Sequence, residues 1–276
     1  MTDDIGGGSL LVAWQLKEKR ILIVGGGEIA SQRIQSTLVA DPYITVLAPQ
    51  SGLHPRTRHF IETRDDRITY HDRTFQGAGE LEGMAMALTA LDDNDLSREI
   101  VGMCRERRIP VNAADIPDLC DFYFGAQIRD GPLQIMISTN GNGPRMASLI
   151  KSRLQKGLSG QEGNAIVKVG QLRNKLKERA PGVGGDVGRQ RMKWMTTLCN
   201  QWEMEDFTAL DDITMDKLLS EGWDQGGRVP SPVDFGIRPR KDTIANPYSI
   251  PLLHSAVAFA AGVLATTLLF LYRGKK

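Results

Sequence analysis

Cysteine and histidine are scarce in this chain of 276 residues, and their placement excludes whole classes of chemistry. The three cysteines, Cys104, Cys120 and Cys199, are odd in number, far apart and form no CxxC pair. That pattern argues against a disulfide framework and a structural zinc site, so a reducing compartment is expected. The four histidines, His54, His59, His71 and His254, show no metal-ligand spacing. Any metal chemistry therefore has to rest on carboxylates. Net charge is nearly absent at +1, but residues 145–193 hold 12 basic and 3 acidic residues while residues 1–144 hold 14 basic and 20 acidic. The basic block suits a solvated helix face, a nucleic-acid surface or a polyanionic small molecule. No RNA-binding or zinc-finger signature accompanies it, so no nucleic acid is expected as partner. Residues 1–9 contain Gly6-Gly7-Gly8 and no apolar signal-peptide core, which gives an expectation of a frayed start and no secretion.

What the chain does contain, at 41% hydrophobic and 24% charged, is enough apolar material for one large domain and a smaller one. Its organising stretch is Arg20-Ile21-Leu22-Ile23-Val24-Gly25-Gly26-Gly27-Glu28-Ile29-Ala30. Four consecutive aliphatic residues predict a strand covered on both faces, as in a parallel sheet. The turn Gly25-x-Gly27-x-x-Ala30 then suits a dinucleotide site. Gly25 permits the tight turn, Gly27 lets a pyrophosphate approach the backbone, and Ala30 lets the helix pack close to the strand. The phosphates would rest on free N–H groups at the helix N-terminus. Standing alone, the same pattern also describes an ordinary strand-to-helix turn.

Residues 28–40 read as a helix and residues 44–48 as a second parallel strand, which completes one βαβ unit. The acidic residue that commonly ends this strand and holds the adenosine ribose is replaced by Ala48-Pro49-Gln50, so NAD and NADP are not distinguished there. Residues 68–70, 84–90 and 110–114 read as further strands, with a helix from about residue 94 to 107 capped from Asp92-Asp93-Asn94-Asp95. A short strand or edge segment is also expected over residues 10–16. Asp115 falls at the carboxyl end of the fifth strand, where open α/β sheets bind ligands. It is a site candidate, with turn capping before Pro117 as the alternative.

From Phe122 the pattern changes. Residues 122–128 and 133–138 read as two strands joined through Arg129-Asp130-Gly131-Pro132, and Pro144 opens a helix. Such a hairpin has edges that a second copy of the chain would cover. Residues 157–221 read as helical, broken at Pro181-Gly182-Val183-Gly184-Gly185, with Ile166, Val169, Leu172 and Leu176 as one apolar stripe. Residues 222–249 read as a linker rich in Gly and Pro. Residues 252–272 then carry no charge and precede Arg273-Gly274-Lys275-Lys276. A helix of that length spans about 30 Å, the thickness of a bilayer core, so a transmembrane tail is expected, with a buried C-terminal helix as the alternative.

These motifs together resemble the siroheme synthases, in particular the fungal bifunctional precorrin-2 dehydrogenase and sirohydrochlorin ferrochelatase. The resemblance rests on residues 22–30 with Arg33, Val46-Leu47-Ala48-Pro49, Asn112-Ala113-Ala114-Asp115, Cys120-Asp121-Phe122, Ile137-Ser138-Thr139-Asn140-Gly141 and Gly143-Pro144. It covers about residues 10 to 225. It implies a Rossmann-type domain that binds NAD (residues 1–118), a dimerisation segment (119–156) and a helical substrate and chelatase domain (157–221). The linker (222–249) and the tail (250–276) follow. It also implies a homodimer, with precorrin-2, sirohydrochlorin and ferrous iron as substrates.

On that resemblance the catalytic aspartate is Asp115, and cofactor contacts fall on Gly25, Gly27, Glu28, Ile29, Pro49, Gln50, Thr89 and Ala90. Asp115 is also the one possible metal guide. Asp118 and Asp121 are the reserve carboxylates, and Arg145, Lys151 and Arg153 are candidates for the substrate's carboxylates, or else a solvated helix face. The family accepts the missing ribose-binding acid. Thr139 and Asn142-Gly143 depart from its usual loop residues, and the chain has no room for the extra methyltransferase domain of some bacterial members. A cytosol-facing enzyme anchored by its tail to an intracellular membrane is expected. An NAD-binding regulatory protein without catalysis and a membrane-attached NAD(P) reductase of another substrate are the alternatives.

Overall fold

The computed structural model describes residues 8–237. Within them the chain divides into two compact units, one of residues 8–129 with 133–159 and the other of residues 130–132 with 160–237. The expected membrane-spanning stretch at 252–272 lies outside the described residues. Among those described, no helix is long and apolar enough to cross a membrane.

The first unit is built on five parallel strands: β1 (Arg20–Val24), β2 (Tyr43–Leu47), β3 (Ile68–His71), β4 (Met86–Thr89) and β5 (Val111–Ala113). Their spatial order is β3-β2-β1-β4-β5, so the order reverses between β1 and β4. Helices α1 (Glu28–Leu38), α2 (Pro55–Thr63) and α3 (Asn94–Glu106) follow β1, β2 and β4. The aliphatic strand residues alternate between two cores because side chains alternate across a sheet. Leu22, Val24 and Ala87 pack with Ile100, Val101 and Cys104 of α3, while Ile21, Ile23 and Leu88 pack with Ala30, Ile34 and Leu38 of α1. Each fully buried Leu or Ile contributes about 1.5–3 kcal/mol by leaving water. Both faces being covered is why these strands read as unbroken apolar runs.

After β5 the hairpin differs from the sequence expectation. Its strands are β6 (Ala126–Asp130) and β7 (Leu133–Ile137), so residues 122–125 are not strand. Three aromatics in four residues imitate a strand, but tertiary packing takes Phe122 and Phe124 instead. Phe122 and Phe124 meet edge to face at 5.7 Å against the α1 core, and the Phe122 carbonyl accepts from Asn112 Nδ2 at 2.8 Å. The expected strand at residues 10–16 is also absent. Leu10, Leu11 and Val12 are exposed, and only Trp14 and Leu16 find apolar partners. Helix α4 (Pro144–Gly157) buries Ala147 alone and leaves Met146, Leu149, Ile150 and Leu154 exposed along one side.

The second unit is helical: α5 (Glu162–Arg179), α6 (Gly185–Gln201), α7 (Met204–Thr208) and α8 (Asp212–Leu218), followed by one π turn at Leu219–Trp223. Leu172 and Leu176 of the expected stripe are fully buried, whereas Ile166 is 39% exposed and Ala165 takes its place in the core. The Gly- and Pro-rich segment expected as a linker is packed as far as it is described. Trp223, Val229, Phe235 and Ile237 lie against the helical core. Trp194 Nε1 donates to the Arg228 carbonyl and Trp202 Nε1 to that of Pro230, each at 2.9 Å. Two buried indole donors thus hold a strand-free segment in place, since leaving either unpaired would cost about 1–3 kcal/mol.

A candidate dinucleotide site

The carboxyl ends of β1 and β4, where the strand order reverses, frame a cavity of about 420 Å³. Three consecutive glycines form its floor, each with its own physical reason. Gly25 has φ +119°, and a Cβ there would lie 2.1 Å from the Ala90 carbonyl oxygen at the end of β4. No other residue fits so close a crossing. A Cβ on Gly26 would meet Leu53 Cδ2 at 2.7 Å and Ala48 Cβ at 2.9 Å, so this glycine seats the loop after β2. A Cβ on Gly27 would meet nothing within 4 Å. That open space faces the start of α1, whose N-cap is Gly27 and which has no side-chain cap. The first-turn N–H groups are therefore left for an external anion, and a pyrophosphate fits both the space and the donors.

Of the sequence candidates, Gly25, Gly27, Glu28, Ile29, Pro49, Ala90 and Asp115 line this cavity. Gln50 does not, and its backbone N–H donates to Asp72 Oδ1 at 2.6 Å. Thr89 is buried one residue behind the lining, with its Oγ1 unpartnered. Arg145, Lys151 and Arg153 on α4 line none of it. The cavity adds residues that local reading did not single out: Thr74 and Phe75 after β3, and Leu91, Asp92 and Leu96 after β4. The sequence offers Asp92 only as a helix cap, but Asp93 fills that role, its Oδ1 accepting from Asp95 N and Leu96 N. Asp92 is left to face the cavity.

Asp115 stands on the turn after β5 at φ +61°, a left-handed conformation that Asp and Asn tolerate better than most residues. Its carboxylate accepts no hydrogen bond and forms no ion pair among the described residues. Turn capping is therefore not its job here. The turn is braced from behind by Cys120, whose Sγ lies 3.1 Å from the Ala113 carbonyl and 3.4 Å from that of Ile116. Burial pushes the Cys120 thiol up, which keeps it a donor. Asp121 is also structural: its carboxylate accepts from Val111 N at 3.0 Å, and it and Asp118 stay outside the cavity.

Arg33 of α1 lies close by. Its guanidinium sits 4.4 Å over the Phe124 ring, and its Nε is buried without a partner. Burial lowers its pKa, and attraction to Cys120 and Asp115 partly offsets that. Among the described residues no cluster of His, Cys, Asp and Glu is arranged to hold a metal.

Fold and cavity together define a protein of the Rossmann dinucleotide-binding class. Residues 12–126 match the putative NAD(P)-binding family, 130–156 the sirohaem biosynthesis protein central family, and 160–230 the sirohaem biosynthesis protein C-terminal family. The chain is 43% identical to the siroheme biosynthesis protein met8 of Schizosaccharomyces pombe over 213 residues, 77% of this chain and 79% of that protein. It is 32% identical to the siroheme biosynthesis protein of the same name from Saccharomyces cerevisiae, over 67% of this chain and 80% of that one. A siroheme synthase of Thioalkalivibrio sulfidiphilus is 31% identical, with 79% of this chain matching 44% of that longer protein. The solved structure of SirC, a precorrin-2 dehydrogenase, shares the fold at TM-score 0.58 and 21% identity, covering 77% of this chain and 98% of that one. The chain belongs to the siroheme synthase family of siroheme biosynthesis proteins.

Proposed function

We propose that this chain oxidises precorrin-2 to sirohydrochlorin with NAD+ and then inserts ferrous iron to give siroheme. The observation that carries the reading is the unpartnered Asp115 carboxylate lining the same cavity as the uncapped start of α1. NAD+, when bound, supplies the hydride acceptor. The α1 N–H groups hold its pyrophosphate, Gly27 gives it room, and Ala90 and Leu91 line the cavity beside the glycine turn. Oxidation of precorrin-2 removes a hydride and a proton, and Asp115 takes the proton. Iron insertion displaces two pyrrole protons: water takes one, and Asp115, after passing the proton from oxidation to water, accepts the other. No hydrogen bond has to be broken to free its oxygens. The substrate's eight carboxylates call for cations, and Arg145, Lys151 and Arg153 remain candidates on a helix outside the cavity.

Incubating the purified protein with precorrin-2, NAD+ and Fe2+ tests this directly. Sirohydrochlorin absorption should appear first and siroheme absorption second. Binding of NAD+ with no change in the tetrapyrrole spectrum would overturn the catalytic reading.

The proposal extends to a homodimer that faces the cytosol and is held at an intracellular membrane by residues 252–272. The exposed side of α4 and the edges of the β6–β7 hairpin support the dimer, because an apolar stripe beside open strand edges is stabilised by a second copy. The uncharged run of the tail supports the anchor. One preparation of each kind checks both. The full chain should stay in the pellet after alkaline carbonate extraction, and a chain ending at residue 248 should stay in the supernatant and sediment as a dimer at micromolar concentration. Release of the full chain would remove the anchor, and a monomeric shorter chain would remove the dimer.

A further inference from the structure

The helical unit carries a second cavity, of about 940 Å³, between α5 and α6 and the glycine loop that joins them. It is over twice the volume of the dinucleotide cavity and near the upper end of the range of ligand pockets, about 300–1,000 Å³. Its lining includes both apolar and cationic side chains. Buried Leu176 and Met195 give it an apolar base, and Arg173, Lys177 and Lys193 add cationic heads, while no acidic residue lines it.

The charges on α5 divide by face. Lys175 Nζ lies 3.0 Å from Asp216 Oδ1, and Arg179 Nε lies 3.2 Å from Asp224 Oδ2, so these two cations away from the cavity are paired inside the unit. Arg173, Lys177 and Lys193 form no ion pair and no side-chain hydrogen bond among the described residues. Arg191, also in the lining, spends its guanidinium on the carbonyls of Ala180 and Gly182 and so shapes the loop. Unneutralised cations gathered round an apolar base raise the local concentration of anions and favour a ligand that is apolar in its body and anionic at its edge.

Two other occupants fit poorly. The chain's own residues 238–276 hold six basic residues and one acidic, so their charge repels this rim. A second copy placed symmetrically would set the same cations against each other.

We infer that this cavity binds a flat apolar ring bearing several carboxylates. That class includes the tetrapyrroles of the proposed reaction, so the inference rests on that reading for its natural ligand. The site lies wholly within the helical unit, on residues separate from the dinucleotide cavity and from Arg145, Lys151 and Arg153.

Uroporphyrin, a metal-free ring with eight carboxylates, is a suitable probe, titrated into the full chain and followed by its absorption and fluorescence. Replacing three partly or fully exposed cations leaves the core untouched, so Arg173→Glu, Lys177→Glu and Lys193→Glu combined should weaken uroporphyrin binding at least about tenfold. NAD+ affinity should not change. The Gln versions at the same three positions should fall between. Mellitate, which concentrates carboxylates on a single small ring, should compete only at concentrations about 100-fold higher, since it forgoes the apolar base. Unchanged uroporphyrin affinity in the triple Glu variant, displacement by NAD+, or equal competition by mellitate would each overturn the inference. Precorrin-2 turnover by the unaltered chain is measured alongside. Turnover with uroporphyrin binding indifferent to the three cations overturns the cavity assignment alone. Binding through the three cations without turnover overturns the proposed function and leaves the cavity assignment standing.

Discussion

Gly27→Asp is expected to abolish dinucleotide binding while leaving the fold at least as stable as before. Gly27 has an unstrained φ of −71° and open space where a Cβ would stand, so the backbone accepts the new residue. It is also the N-cap of a helix with no side-chain cap, and aspartate there accepts from first-turn N–H groups and gains a few tenths of a kcal/mol over glycine. Those are the donors a pyrophosphate needs. The carboxylate occupies them and adds like-charge repulsion of about 1–4 kcal/mol at contact distance, so NAD+ affinity should fall at least about 100-fold. Fluorescence titration with NAD+ and thermal unfolding check the two halves together. Unchanged affinity would remove Gly27 from the site. Gly25→Ala should do the opposite. Its φ of +119° and the 2.1 Å approach to the Ala90 carbonyl leave no room for a methyl group, and stability should drop by about 3–5 kcal/mol.

That contrast marks where the sequence is readable and where it is not. The β1 strand, its glycine turn and α1 are legible because each follows from local chemistry: aliphatic residues for a buried strand, glycines for a turn that no side chain permits, and Ala30 for close packing. Asp115 is legible for a similar reason, because a strand end in an open α/β sheet is a ligand position whatever the sheet's order. Thr74, Phe75 and Asp92 were not legible. They reach the cavity only because β3, β2, β1, β4 and β5 stand side by side in that order, which no local pattern states.

Asp92 illustrates the difficulty most directly. Four consecutive capping residues hide which one caps, and only the hydrogen bonds of Asp93 release its neighbour. The segment at 222–237 reads as a linker for a different reason. Its glycines and prolines are real, but the order comes from the indoles of Trp194 and Trp202 on a distant helix and its end. The cavity between α5 and α6 was legible only as a basic block, because sequence shows how many cations there are and not which of them are already paired.

The largest effect on chemistry is expected at Asp115. Asparagine keeps the size of the side chain and tolerates φ +61° as well as aspartate does, so the turn braced by Cys120 should be unchanged. No hydrogen bond or ion pair of the Asp115 carboxylate is lost, only its attraction for the partly buried Arg33 guanidinium, so stability should fall by no more than about 1 kcal/mol. NAD+ affinity should barely change, because the pyrophosphate rests on α1. What disappears is the proton acceptor. A positioned base contributes about 10²–10⁴-fold, so Asp115→Asn should slow precorrin-2 oxidation and iron insertion together by a factor in that range. Single-turnover absorption spectra with NAD+ and then with Fe2+ separate the two steps. A loss below tenfold in both would return Asp115 to a conformational role on its turn. If oxidation alone falls, the chelation base is a different group, and Asp92, the other aspartate lining the cavity, is the residue to replace next.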